Sequence, residues 1–282
     1  MGLATFRGGV HPFEGKELSM DRAVTVLKPT SGEMVYPLSQ HIGAPAKAIV
    51  KVGDEVLVGQ KIAEAGGFIS AVVVSSVSGK VKKIEPRVTA GGAKSISIVI
   101  ENDGLYTAVE GLGEDRDATK LSKQEIRDIV REAGIVGLGG AGFPTNVKLT
   151  PKDESKIDYV IVNGAECEPY LTCDYRMMIE EPERLVGGLK VMLQLFENAK
   201  AVIGIENNKP KAIETLRALV KDEPKITVEP LRTKYPQGGE RSLIYAVTGR
   251  EINSSMLPAD AGCVVDNVNT VMAIYDAVCK RT

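Results

Sequence analysis

Gly134-Ile-Val-Gly137-Leu-Gly139-Gly140-Ala-Gly142-Phe143-Pro144-Thr145-Asn146-Val-Lys148 places five glycines in nine residues, then Phe-Pro-Thr, then a lysine. Glycine has no Cβ, so its backbone N–H can approach an anion closely. A loop of this kind running into a helix adds the positive end of the helix dipole, about half an elementary charge. Pro144 suits the first helical turn, where the missing N–H costs nothing. Lys148 can reach a phosphate as a point charge. The stretch therefore reads as a phosphate cradle, with a plain glycine-rich turn as the alternative.

The spacing Gly137-x-Gly139-x-x-Gly142 also fits the dinucleotide fingerprint, which requires a strand before it and a helix after it. Upstream, Ser122-Lys-Gln-Glu125 forms a capping-box pattern, and Ile126, Ile129, Val130 and Ala133 continue at helical spacing. A helix precedes the loop, which argues against an ordinary Rossmann phosphate turn. No Gly-Lys-Ser/Thr closes it, so it is not a Walker A loop.

Downstream, Asp158-Tyr-Val-Ile-Val-Asn163, Lys200-Ala-Val-Ile-Gly-Ile205 and Lys225-Ile-Thr-Val-Glu229 read as buried strands. Pro182 opens a helix carrying Leu185, Val186, Leu189, Met192, Leu193 and Phe196, and Asn208 can cap another through Ile213, Leu216, Leu219 and Val220. Alternating strands and helices imply a mostly parallel sheet covered on both faces. Ligands of such sheets sit at the carboxyl ends of the strands. That rule points to Asn163-Gly-Ala-Glu166-Cys167-Glu168-Pro169 after the first strand. Glu168, two residues beyond Glu166, reads as a buried-loop carboxylate. Tyr235-Pro-Gln-Gly238-Gly239-Glu240 follows the third strand, with a helix through Leu243, Ile244 and Val247 starting at Gly-Gly-Glu; Asn267-Val-Asn269-Thr270 begins the last helical run.

From about residue 31 to Glu101 the chain is β throughout. Ala48–Val52, Lys61–Ala65, Ala71–Val74, Gly79–Ile84 and Ser95–Ile100 are short, β-branched and separated by Gly, Asp or Ser. The organisation expected is an N-terminal extended arm (1–30), a β domain (31–103), a polar linker (104–120) and an α/β domain (121–282). The fold class is α/β, an all-β barrel-sandwich hybrid followed by a Rossmann-like domain. The β domain resembles biotinyl and lipoyl domains, which carry a modified lysine at a hairpin tip. The corresponding tip here is Gly66-Gly-Phe-Ile-Ser70, without lysine, so a scaffold or docking role is expected rather than a carrier.

The 282 residues are 43% hydrophobic and 26% charged with a formal net charge of −2, a soluble globular composition without the basic character of nucleic-acid binders. No apolar run reaches the roughly 18 residues of a membrane span and no signal peptide opens the chain. A cytoplasmic protein, peripheral on the membrane at most, is expected. Cys167, Cys173, Cys263 and Cys279 have no C-x-x-C or ferredoxin spacing and read as reduced thiols. With His11 and His41 alone, no metal site or Ser-His-Asp chemistry is expected, and no side chain is needed as a catalytic group.

Four motifs carry a resemblance: Pro37-Leu-Ser-Gln-His41-Ile-Gly-Ala-Pro45, Gly139-Gly-Ala-Gly-Phe-Pro-Thr145, Val162-Asn-Gly-Ala-Glu-Cys-Glu-Pro169 and Lys234-Tyr-Pro-Gln-Gly-Gly-Glu240. The chain resembles the RnfC component of Rnf-type ion-translocating ferredoxin:NAD oxidoreductases, whose flavin domain is similar to the flavoprotein component of respiratory complex I. The resemblance implies non-covalent FMN, NAD(H) as substrate, and electron flow toward iron–sulfur clusters and ferredoxin, coupled to ion translocation by the whole complex. It implies flavin contacts at Gly137, Gly139, Gly140, Gly142, Lys148, Asn163, Glu166, Asn267 and Thr270. Phe143, Glu168, Tyr235, Gly238 and Glu240 match the region that receives NADH. The complex I pattern has Arg where Leu138 stands, an acid at Ala165 and a second glutamate at Gly239. The family carries two 4Fe–4S clusters on a later cysteine-rich segment, so this sequence looks like a truncated piece. The resemblance puts no cluster on the four cysteines present. A flavin-dependent cobalamin reductase and a flavin-free docking protein are the alternative readings.

Overall fold

The computed structural model describes residues 2–282 as two units, Met1–Thr25 with Leu149–Tyr275, and Val26–Lys148 with Asp276–Thr282. Each is described by itself.

The second unit is built on strands β1 (Glu33–Pro37), β2 (Lys47–Ala48), β3 (Glu55–Val56), β4 (Lys61–Glu64), β5 (Val73–Val74), β6 (Gly79–Val88) and β7 (Lys94–Asn102). They form two antiparallel sheets, in the orders β1-β7-β6-β3 and β2-β4-β5. Between them lie Tyr36, Val56, Ile62, Val81, Ile98 and Ile100; the last four, Ile62, Val81, Ile98 and Ile100, are β-branched positions that the sequence reads as strands, whereas β1 and β3 lie outside those runs. This is the expected barrel-sandwich hybrid. The tip Gly66–Ser70 is closed by a Gly66 N–H bond to Ser70 Oγ, and a Cβ on Gly66 would lie 2.0 Å from the Pro45 carbonyl oxygen. The polar stretch after β7 is tied back to this unit, with Val58 N–H donating to Thr107 and Val109 N–H to Val58.

Helix α1 (Lys123–Glu132) starts at the expected capping box, both halves of which are formed by Ser122 and Glu125. The glycine loop follows. The helix expected after it is only α2, Thr145–Lys148. Four residues align too few peptide dipoles to supply the expected half charge, so the loop's own N–H groups must do the work. Pro144 precedes this turn, facing Val136 in an isolated antiparallel bridge.

The first unit holds β8 (Tyr159–Gly164), α3 (Cys173–Glu180), α4 (Pro182–Leu195), β9 (Lys200–Glu206), α5 (Pro210–Leu219), β10 (Ile226–Leu231), α6 (Glu240–Thr248), β11 (Cys263–Asn267) and the start of α7 (Val268–Lys280). All four strands are parallel, in the order β10-β9-β8-β11. β11 is a strand the sequence did not announce; Cys263-Val-Val is too short an apolar run to separate from the helix that follows. Its presence matters, because the chain order reverses between β8 and β11, and that switch point is where open parallel sheets open a crevice. Asn163 and Asn267 sit opposite each other in register at that edge.

Helices cover the sheet through the residues expected of them: Leu185, Leu189 and Met192 of α4 and Leu243 and Ile244 of α6 are fully or almost fully buried. Gly187 and Gly188 look costly inside α4, but α7 approaches there. A Cβ on Gly188 would lie 2.1 Å from the Val271 carbonyl oxygen. Pro182 is the first residue of α4, as expected. Asn208 does not cap α5; Lys209 holds that position and makes no side-chain cap bond.

Candidate functional site

The switch-point edge gathers the polar residues that the sequence singles out after β8, β10 and β11. Asn163 donates from Nδ2 to the Gly238 carbonyl at 2.8 Å and accepts Ala165 N–H at Oδ1. This bond joins the loop after β8 to the loop after β10. A Cβ on Gly238 would sit tightly against Asn163 Oδ1, at 3.1 Å. Gly238 N–H donates in turn to the Cys167 sulfur.

Glu166 is buried with a φ of 47°, and its two oxygens accept N–H bonds from Asp174 and Tyr175, at 2.7 and 3.3 Å. It thus satisfies the start of α3 in place of a local cap. Asp174, also buried, accepts from the Asn267 and Asn269 amides at 2.7 Å each. Burial pushes the Glu166 carboxyl up to about 7, and the negative Asp174 adds to the shift; burial raises Asp174 too. One ligand atom each from Glu166, Cys173 and Asp174 lies within 4.8 Å of the others. Burial and the two acids raise the Cys173 thiol to about 11, so it stays protonated, while both carboxylates already accept hydrogen bonds.

A second buried set stands beside this one. Lys209 is 1% exposed, and its Nζ donates to the Ala165 carbonyl at 2.7 Å and to Asn208 Oδ1, with Glu206 at 3.5 Å. Burial lowers Lys209 and raises Glu206, each toward its neutral form. Lys16 Nζ donates to the carbonyls of Glu166, Glu168 and Leu171.

The Glu168 side chain, expected as a buried-loop carboxylate, is exposed; only its backbone is held. A loop whose carbonyls converge on one ammonium turns the next side chain outward. Tyr235 and Glu240 are also exposed, Glu240 as the first residue of α6, while Thr270 is fully buried in α7.

In the β unit, Gln40, His41, Ile42 and residues 136–142 line a cavity of about 460 Å³. Gly142, at φ 65°, lets the loop press against the Gln40–His41 backbone, where a Cβ would meet Gln40 O at 3.2 Å. Gly137 N–H donates to the Phe143 carbonyl and closes the loop. Residues 138–141 form a turn; among the described residues, the N–H groups of residues 139–141 have no protein acceptor, and the buried Thr145 hydroxyl has no partner. Consecutive unpaired N–H groups around an open cavity are an anion cradle, and they fit a phosphate-bearing cofactor. Phe143 and Lys148 are half-buried at the end of the loop, and Leu138 is 48% exposed.

Residues 130–276 match the Nuo51 FMN-binding domain, and residues 4–105 match the RnfC barrel sandwich hybrid domain. The chain belongs to the RnfC family. It is 48% identical over 98% of its length to the C component of the proton-translocating ferredoxin:NAD(+) oxidoreductase complex of Clostridium ljungdahlii. It is 47% identical over 97% of its length to the Na(+)-translocating counterpart of Acetobacterium woodii. It is 41% identical over 98% to the C component of an ion-translocating oxidoreductase complex of Pseudomonas aeruginosa. The chain spans 60%, 62% and 36% of those three relatives. Among the described residues, no helix is long and apolar enough to cross a membrane.

Sequence reasoning missed Lys16, Asp174, Glu206 and Lys209. A faint signal existed for one pair: Glu206 ends an apolar strand with a charge, and Lys209 follows three residues later. Nothing local marks Lys16 or Asp174.

Proposed function

We propose that this RnfC family member is an electron-transfer flavoprotein component that binds FMN without a covalent bond and oxidises or reduces NAD(H). The observation that supports the reading is the turn with unpartnered N–H groups at residues 139–141, lining an open cavity within a matched FMN-binding domain. Gly137, Gly139, Gly140 and Gly142 would hold the phosphate with Lys148 as its charge partner. Asn163, Glu166, Asn267 and Thr270 are assigned to the flavin, with Glu166 acting by fixing the loop rather than by direct contact. Phe143, Glu168, Tyr235, Gly238 and Glu240 are assigned to the dinucleotide. Bound FMN supplies the exchange between two-electron and one-electron carriers, which no side chain can perform.

By analogy with its relatives' names, the chain works within an ion-translocating ferredoxin:NAD(+) oxidoreductase complex and passes electrons toward ferredoxin; a place on the cytoplasmic face of the membrane is part of the same proposal. No 4Fe–4S cluster is assigned to Cys167, Cys173, Cys263 or Cys279, which lack cluster spacing.

Stopped-flow mixing of the FMN-loaded protein with NADH tests the reading. Bleaching of the flavin band is expected, slower in Glu168→Gln, with no rapid reduction of added ferredoxin by this chain alone. An FMN-loaded protein inert to NADH would refute the dinucleotide assignment, and bleaching unchanged in Glu168→Gln would remove Glu168 from it.

A further inference from the structure

We propose that the N-terminal arm, residues 2–23, is part of the nicotinamide-dinucleotide site and that Lys16 is its positioning residue. The proposal rests on the dinucleotide reading above. The arm is tied to all three loops that leave β8, β9 and β10. Lys16 uses its three donor protons on the Glu166, Glu168 and Leu171 carbonyls, at 2.9, 3.0 and 2.6 Å. Glu14 accepts from the Asn208 amide at 2.7 Å and, through its carbonyl, from Tyr170 N–H at 2.7 Å. Val10 exchanges two backbone bonds with Tyr235, each 2.8 Å, and Lys234 Nζ returns to the arm at the Phe6 and Gly8 carbonyls. Arm and loops together enclose a cavity of about 100 Å³, floored by Glu206 and Cys167.

The kind of bonding separates a site element from a fold element. A segment that holds a fold together buries apolar side chains, because burial is the larger driving force. Here Leu3, Val10, Phe13 and Leu18 are 41–72% exposed, and Ala4 is the arm residue packed on the core. The arm meets the sheet at Ala4, which bridges to Leu231 at the end of β10 and accepts from Arg232 N–H, but its other polar bonds go mostly to loops and it buries little apolar surface. Gly15 makes the insertion of Lys16 possible: at φ 62° it passes under Tyr170, whose ring would lie 2.3 Å from a Cβ. The loop it reaches carries Glu168 and Cys167, whose sulfur accepts the Gly238 N–H. With the arm in place, those loops are ordered before the dinucleotide arrives, so their ordering cost is not charged against binding.

The experiment uses the full 282-residue chain. NAD+ affinity is measured by isothermal titration, and amide hydrogen exchange is followed across residues 166–174, for the unaltered protein, Lys16→Met and Glu14→Ala. Lys16→Met is expected to speed exchange in the loop and weaken NAD+ by about tenfold or more, the loss of a charge-assisted bond network. Glu14→Ala, at a half-buried position, is expected to melt at the same temperature and weaken NAD+ by about threefold, one lost bond. Faster exchange in Lys16→Met with unchanged NAD+ affinity would overturn the proposal and leave the arm a structural strap. Should Lys16→Met not fold, unchanged affinity in Glu14→Ala would overturn it equally. An unaltered protein that binds no NAD+ would instead sink the dinucleotide reading, and this inference with it.

Discussion

Glu166 is held by two backbone donors yet driven toward neutrality by burial and by Asp174. Its folded value of about 7 lies above the ordinary 4.5. The folded state therefore binds the proton more tightly than the unfolded chain between those values, and this group's contribution to stability is lost as pH rises from about 5 through 7. Glu166→Gln keeps one of the two acceptor oxygens, loses the longer bond from Tyr175 N–H and removes the titration. Melting temperatures taken from pH 5 to 8 are expected to fall less steeply in the variant; parallel slopes would contradict the assignment. Lys148→Ala is expected to weaken FMN by about 1.5–3 kcal/mol, the worth of a hydrogen bond to a charged group, read by isothermal titration. Equal affinities would take Lys148 out of the site. Asn163 and Glu166 were legible because parallel strands announce where their ligands sit. Lys16 was not, since its acceptors lie 150 or more residues away and are backbone carbonyls, which leave no trace in side-chain identity.

At the scale of elements, the capping box, the proline-started α4 and the three long strands were readable because each is set by local chemistry. β11 and α3 were not. β11 shows three apolar residues before an acid, and the start of α3 is satisfied by Glu166 from outside the helix. Helix α4 offers a clear contest of magnitudes. Gly188→Ala would gain about 1 kcal/mol of helix propensity, but its Cβ falls 2.1 Å from Val271 O, a backbone atom that cannot swing aside. Forcing a methyl group into a packed contact costs about 1–3 kcal/mol or more. Net destabilisation is expected in urea denaturation; a gain in stability would show that α7 yields readily.

For the molecule as a whole, the barrel-sandwich unit has the shape of a carrier domain and lacks its reactive lysine. Phe68 stands 84% exposed at the tip instead. Intact mass after expression with lipoyl and biotinyl ligases is expected to equal the unmodified chain, and an added lipoyl or biotinyl mass would reverse that conclusion. The two fold classes were legible from period and composition; the bounds were not, since the compact units divide at Lys148 rather than near residue 121. The assignment of residues 2–25 to the sheet unit was not, because an extended arm carries no periodic signal and declares its partners only through hydrogen bonds.

FMN titration of the unaltered chain and of Gly140→Phe tests most directly whether the glycine loop is the flavin site. Gly140 has no positive φ and nothing within 4 Å of a Cβ, so a side chain can start there without backbone strain, at a position that lines the cavity. The unaltered chain is expected to bind FMN, and Gly140→Phe to melt at the same temperature while losing about tenfold or more in affinity. Equal FMN affinity in the two proteins, both folded, would contradict the glycine loop as the place where the flavin is held.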